Sequence, residues 1–121
     1  MARARVPAKG VTVDDVRALA LALPGTTERP SYGTPGFRVH DKLFARVLDD
    51  ETIVAKVDLE WRDDLVLGSP DVFHVTPHYQ SHPWVVVRLP AITREQLSEV
   101  LASACELATP RPRGKSGPSR R

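Results

Sequence analysis

A chain of 121 residues with 41% apolar content is the size of one domain and can bury a core of its own. Its single cysteine, Cys105, excludes an internal disulfide framework and fits a reducing, cytoplasmic setting. No apolar run approaches the roughly 18 residues of a membrane span, and no apolar segment follows the basic N-terminus, so neither a membrane partner nor a secretory signal is expected.

The formal charge of +2 is unevenly spread. Arg3, Arg5 and Lys9 lie at one end, and Arg111, Arg113, Lys115, Arg120 and Arg121 at the other, with no carboxylate among them. Setting these eight aside leaves nine cations against fifteen carboxylates between them. The basic character belongs to the ends and the body is acidic. Residues 110–121 hold almost nothing apolar and, together with residues 1–10, are expected to be flexible basic tails around a domain at 11–109. Such tails favour polyanions, and also occur as simple solvated extensions.

In chain order, Thr12 is a helix N-cap, with Asp14 and Asp15 in the first turn. Val13, Val16, Leu19, Ala20 and Leu23 keep helical spacing until Pro24-Gly25. Thr26–Gly36, with Pro30, Gly33, Pro35 and Gly36, reads as a loop. Strands are expected at Phe37–His40, Leu43–Leu48 and Thr52–Val57, joined by short turns as an antiparallel meander. Asp58 can cap a helix over Leu59–Leu67, stopped by Gly68-Ser69-Pro70. Strands at Val72–Val75 and Trp84–Leu89 flank a loop holding Pro77 and Pro83. Thr93 and Gln96 form a capping box for a last helix, whose apolar stripe includes Leu97, Leu101 and Cys105. Grouped strands between helices make the fold α+β: a single domain of α-β(3)-α-β(2)-α order, its antiparallel sheet covered by helices on one face.

Strand alternation sorts the side chains into two faces. Phe37, Val39, Leu43, Ala45, Val47, Ile53, Ala55, Val57, Val85, Val87 and Leu89 form an apolar face for the helices. The opposite set holds Arg38, Arg46, Lys56 and Arg88, with Phe44 and Trp84 and no carboxylate. A cationic sheet face carrying aromatic rings suits an anion such as nucleic acid. An exposed antiparallel face is also polar on packing grounds alone, and Phe44 and Trp84 can be read as satellite core.

No phosphate loop or nucleophile elbow is present. His74, His78 and His82 recur every fourth residue, but Pro77 and Pro83 deny them a helix, so no metal site is expected. Cys105 reads as a core thiol. No catalytic residue and no cofactor are expected.

Leu23-Pro-Gly25, Glu28, Tyr32-Gly33, Phe37-Arg-Val39 and Lys42-Leu-Phe-Ala45 occur in an order that resembles the MmcQ/YjbR family. So do Phe73-His-Val-Thr-Pro-His-Tyr79, Trp84-Val-Val-Val-Arg-Leu89 and the closing helix with Ala104 and Leu107. The resemblance spans about Val11–Pro110. It implies the element order read above and a DNA-binding role, drawn from likeness to double-wing DNA-binding proteins. It is similar in fold also to secretion chaperones and frataxin-like proteins.

The leading expectation is therefore a non-enzymatic protein that binds double-stranded DNA. Arg38, Lys42, Arg46, Lys56 and Arg88 would meet phosphates, with Trp84 and Tyr79 stacking or wedging. One alternative is a protein-interaction module, as a homodimer or with a partner chain. Another is a small-molecule site near Glu28, Tyr32, His78 and Tyr79.

Overall fold

Helices begin where the sequence supplies an oxygen for their first unpaired amide groups. A computed structural model describes residues 10–110; the expected tails at 1–10 and 110–121 lie, but for Gly10 and Pro110, outside the described residues. Thr12 caps α1 (Val13–Leu21) and shares a capping box with Asp15. Asp58 caps α2 (Leu59–Gly68) by accepting from the Glu60 amide. Thr93 and Gln96 form the box that opens α3 (Arg94–Ala108).

The strands are β1 (Thr26–Ser31), β2 (Thr34–Val39), β3 (Lys42–Asp49), β4 (Thr52–Lys56), β5 (Phe73–His74) and β6 (Trp84–Arg88). They form one antiparallel sheet in the order β1-β2-β3-β4-β6-β5. The fold is α+β, with one strand more than expected ahead of α2.

That extra strand overturns the reading of Thr26–Gly36 as a loop. Tyr32 and Gly33 have φ of 54° and 85° and form a two-residue hairpin turn. Ser31 pairs with Thr34 beside it, and Pro30 with Pro35 one step further. In such a hairpin the pair next to the turn exchanges both hydrogen bonds, and the following pair exchanges none. Neither proline therefore removes a bond from the β1–β2 ladder. Pro30 turns its missing donor to the outer edge, and the β2–β3 ladder starts only at Gly36 opposite Arg46. Gly36 is needed for close approach: a Cβ there would lie 3.0 Å from both the Leu43 Cδ1 and the Ser31 Cβ.

The helix-side core contains Phe37, Val39, Ala45, Val47, Ile53, Ala55, Val57, Val85, Val87 and Leu89 from the sheet side. Val16 and Ala20 of α1 and Leu97, Leu101 and Ala104 of α3 cover it, with Trp61, Leu65 and Val66 of α2 at its margin. Cys105 is buried in the same core, and burial pushes its thiol pKa up.

β3 departs from strict alternation. Phe37 lies opposite Ala45, but Arg38 lies opposite Leu43, which leaves Phe44 as the extra residue of a bulge. Phe44 turns into the core and is fully buried, while Leu43 passes to the open face. The sequence assignment of these two neighbours is thus reversed. Phe44→Ala should lose about 3–5 kcal/mol of stability in urea unfolding. Leu43→Ala should lose only about 1 kcal/mol.

Candidate functional site

On the face away from α1 and α3, the chain forms a hollow of about 520 Å³. Cross-strand pairing builds its base. Arg46 on β3 stands opposite Val54 on β4, and Val54 stands opposite Val86 on β6. Leu43, delivered by the bulge, adds an apolar wall beside Arg46. Trp84 opens β6 opposite Lys56, whose ammonium lies 5.2 Å from the indole centroid.

Two rims come from outside the central strands. Tyr32, at the β1–β2 turn, is 91% exposed, and the Arg46 guanidinium sits 5.1 Å from its ring centroid. The other rim is a short 3-10 turn, Pro77–Tyr79, which Pro77 starts with its φ already set. His78 and Tyr79 meet edge to face there, with centroids 4.7 Å apart.

Arg62 holds this second rim. It is a cation on α2, only 8% exposed, and it has no carboxylate partner among the described residues. Its Nη1 donates to the carbonyls of Tyr79, His82 and Trp84 at 3.2, 2.8 and 3.1 Å. Its Nη2 donates to the Gln80 carbonyl at 3.0 Å, while Nε is buried without a partner. A buried cation is tolerated only where acceptors replace its water, so residues 79–84 are curled around the guanidinium. Sequence reasoning passed over Arg62. Its one signal is an arginine directly after Trp61 on a helix whose other charges are all carboxylates.

Arg46 is arranged differently. Its Nε donates to the Ser31 carbonyl at 3.0 Å, and its terminal nitrogens have no protein partner among the described residues. The head is anchored at Nε, and the rest of the guanidinium lies over the Tyr32 ring at the wall of the hollow. Among the described residues, no carboxylate lines the hollow.

The structure thus gathers Tyr32, Arg46, His78, Tyr79 and Trp84 at one place, with Lys56 behind Trp84. Arg38 on β2 and Lys42 at the start of β3 do not line it. Glu28 does not line it either. It sits on β1 and accepts from Arg17 of α1 at 2.8 and 3.1 Å, which ties the outer strand to a helix. Arg88 is at the far end of β6, where its Nη1 donates to the Pro70 and Asp71 carbonyls at 3.1 and 3.4 Å.

A YjbR family model matches residues 21–107, which takes in every strand and the whole hollow. The chain belongs to the YjbR family. The crystal structure of Deinococcus radiodurans protein DR2400, described as a DUF419 domain, is similar to it. The two are 27% identical with a TM-score of 0.67, over 77% of this chain and 75% of that one. No curated protein matches the chain.

Elsewhere in this YjbR protein, His74, Arg88, Thr52 and Glu51 line a separate depression of about 230 Å³. The His74 Nδ1 is buried without a partner. Burial, and then the charge of Arg88, hold the His74 pKa below its usual 6.5. Among the described residues, no group of three His, Cys, Asp or Glu side chains is placed to hold a metal ion. No helix among them is long and apolar enough to cross a membrane.

Two outcomes are expected. Arg62→Lys has three donors for four carbonyls, so stability should fall by about 1–3 kcal/mol. Amide hydrogen exchange should quicken in residues 77–84 before it does in α3. For His74, the folded protein stays neutral where the unfolded chain takes up a proton. Stability should therefore decline as pH drops below the ordinary 6.5, and level off once the lower folded-state pKa is passed. Urea unfolding at about pH 7.5 and about pH 5 should show that this part of the slope disappears in His74→Gln.

Proposed function

We propose that this YjbR protein is a non-enzymatic DNA-binding protein that works through the open face of its sheet. The observation that carries the reading is the hollow, where a free guanidinium fork stands among three aromatic rings with no carboxylate in the lining. Phosphates accept well from an arginine fork, and bases stack on aromatic faces.

Charge placement supports the same face. Each helix carries more carboxylates than cations. In α3, Glu95, Glu99 and Glu106 stand against Arg94, and in α2, Glu60, Asp63 and Asp64 stand against the buried Arg62. A helix of that kind is repelled by a phosphate backbone, so none of the three suits a major groove. The strand cations Arg38, Arg46 and Lys56 offer the alternative. The eight cations of the terminal segments would add attraction that is indifferent to sequence.

Binding without catalysis fits the chemistry of the lining. Among the described residues His78 is the one ordinary general base in the lining, and it stands edge-on to Tyr79 with no carboxylate there to orient it.

Fluorescence anisotropy with a labelled oligonucleotide over a salt series tests the reading. Affinity should fall by roughly ten- to a hundredfold between about 50 and 200 mM salt. Arg46→Glu should weaken binding and flatten the slope. Binding that ignores salt, or that is lost when residues 1–9 and 111–121 are removed, would move the function to a protein partner or to the tails alone.

A further inference from the structure

We infer that the hollow receives an unpaired base, so that the DNA bound by this face is single-stranded. The inference rests on the DNA-binding reading above and specifies the state of its ligand. It begins from shape. The bases of a duplex are stacked inside it, and a protein meets only their edges and the backbone. Aromatic rings set into the walls of a concavity cannot reach the face of a paired base. They reach a base that has left the stack, as in single strands. A volume of about 520 Å³ lies within the range of small-ligand pockets and is far too confined for a double helix.

The three rings come from three separate elements: a hairpin turn, a 3-10 turn and the start of β6. Chance exposure of one aromatic needs no explanation, but convergence of three around a common space does. Two of them are held by specific devices. Trp84 and Tyr79 give their carbonyls to the buried Arg62, which fixes the backbone beneath both rings.

Tyr32 is the third, and it sits where tyrosine is a poor choice. At φ 54° the first turn position favours Asn, Asp or Gly. A large ring kept in that conformation is costly to the fold, and though the Arg46 guanidinium lies over it, the ring remains almost wholly exposed and open to a ligand. The phosphate of the same nucleotide has a partner within reach. Arg46 is tied to Ser31 through Nε, and its other nitrogens stay open at the wall of the hollow.

The chain has two tryptophans, so the test uses full-length protein carrying Trp61→Phe, which leaves Trp84 as the reporter. The probes are a single strand of about twelve nucleotides, the duplex of the same sequence, a strand of equal length without bases, and a free nucleoside monophosphate. The normal strand should bind about tenfold more tightly than the duplex and quench Trp84, and the strand without bases should not quench it. Tyr79→Leu and Trp84→Leu, read by anisotropy, should each weaken the normal strand about five- to tenfold and leave the duplex unchanged. Tyr32→Asn, which suits the turn and should keep the fold, should also weaken the normal strand.

Duplex binding equal to or tighter than strand binding, with Trp84 unquenched, overturns this inference and leaves the DNA-binding reading standing. A free nucleotide that quenches at the strand's own concentration overturns it in favour of a small-molecule site. Failure of every oligonucleotide to bind removes both readings.

Discussion

A guanidinium that has lost its water must be surrounded by acceptors, and in this fold one loop supplies them all. Arg62 projects from α2 into the carbonyls of Tyr79, Gln80, His82 and Trp84. The connection between β5 and β6 can close only in a shape that points four oxygens at one place. That shape stands the 3-10 turn beside the sheet and presents Trp84 at the start of β6. It also places Pro83 so that its carbonyl accepts from Val57, the residue that follows β4. One buried charge thus links the second helix, the end of the central strand and one whole side of the hollow. Replacing the pair of elements by apolar packing would bury the same area without fixing the loop's path.

Charge is separated across the sheet rather than balanced within it. The helices keep carboxylates on the outside of the core, where Asp15 is held below the usual carboxylate range first by the Thr12 amide and further by Arg94. The strand residues of the open face include Arg38, Arg46, Lys56 and Trp84. An acidic body and a cationic working face are therefore compatible, because a low-dielectric sheet and its helices lie between them. Net charge alone would have hidden this. It mixes three regions, the terminal segments, the helices and the open face, that meet different surroundings.

Most of the fold was legible because local chemistry and global packing agree. Thr12, Asp58 and Thr93 cap the helices that their positions announce, and most of the strand residues sorted to the apolar face are core residues. What alternation could not convey is a change of register. Phe44 is shifted by one residue in a bulge that leaves no mark in composition, and one residue is enough to exchange faces with Leu43. The hairpin at Thr26–Val39 was hidden for a different reason. Proline and glycine are turn signals only on average, and here Pro30, Pro35 and Gly36 occupy the strand positions that tolerate them. The hollow was half legible. Arg46, Trp84 and Tyr79 were expected on a DNA-binding face, and Tyr32 and His78 beside Tyr79 in a small-molecule site, but nothing local shows that the two groups form one hollow. That meeting depends on sheet order and on Arg62.

Pro30 of the first hairpin also bears on how the molecule meets its own copies at high concentration. A sheet grows into a fibre, or borrows a strand from a neighbour, by offering an unbroken row of donors and acceptors along its rim. Among the described residues the rims are β1 and β5. β5 is two residues long, too short to template anything. On β1 the row is interrupted at Pro30, which offers an oxygen and no hydrogen. An incoming chain would find its ladder broken at the fifth of the strand's six residues, beside the turn. A residue that looked like a break in the sheet instead removes a donor from its rim.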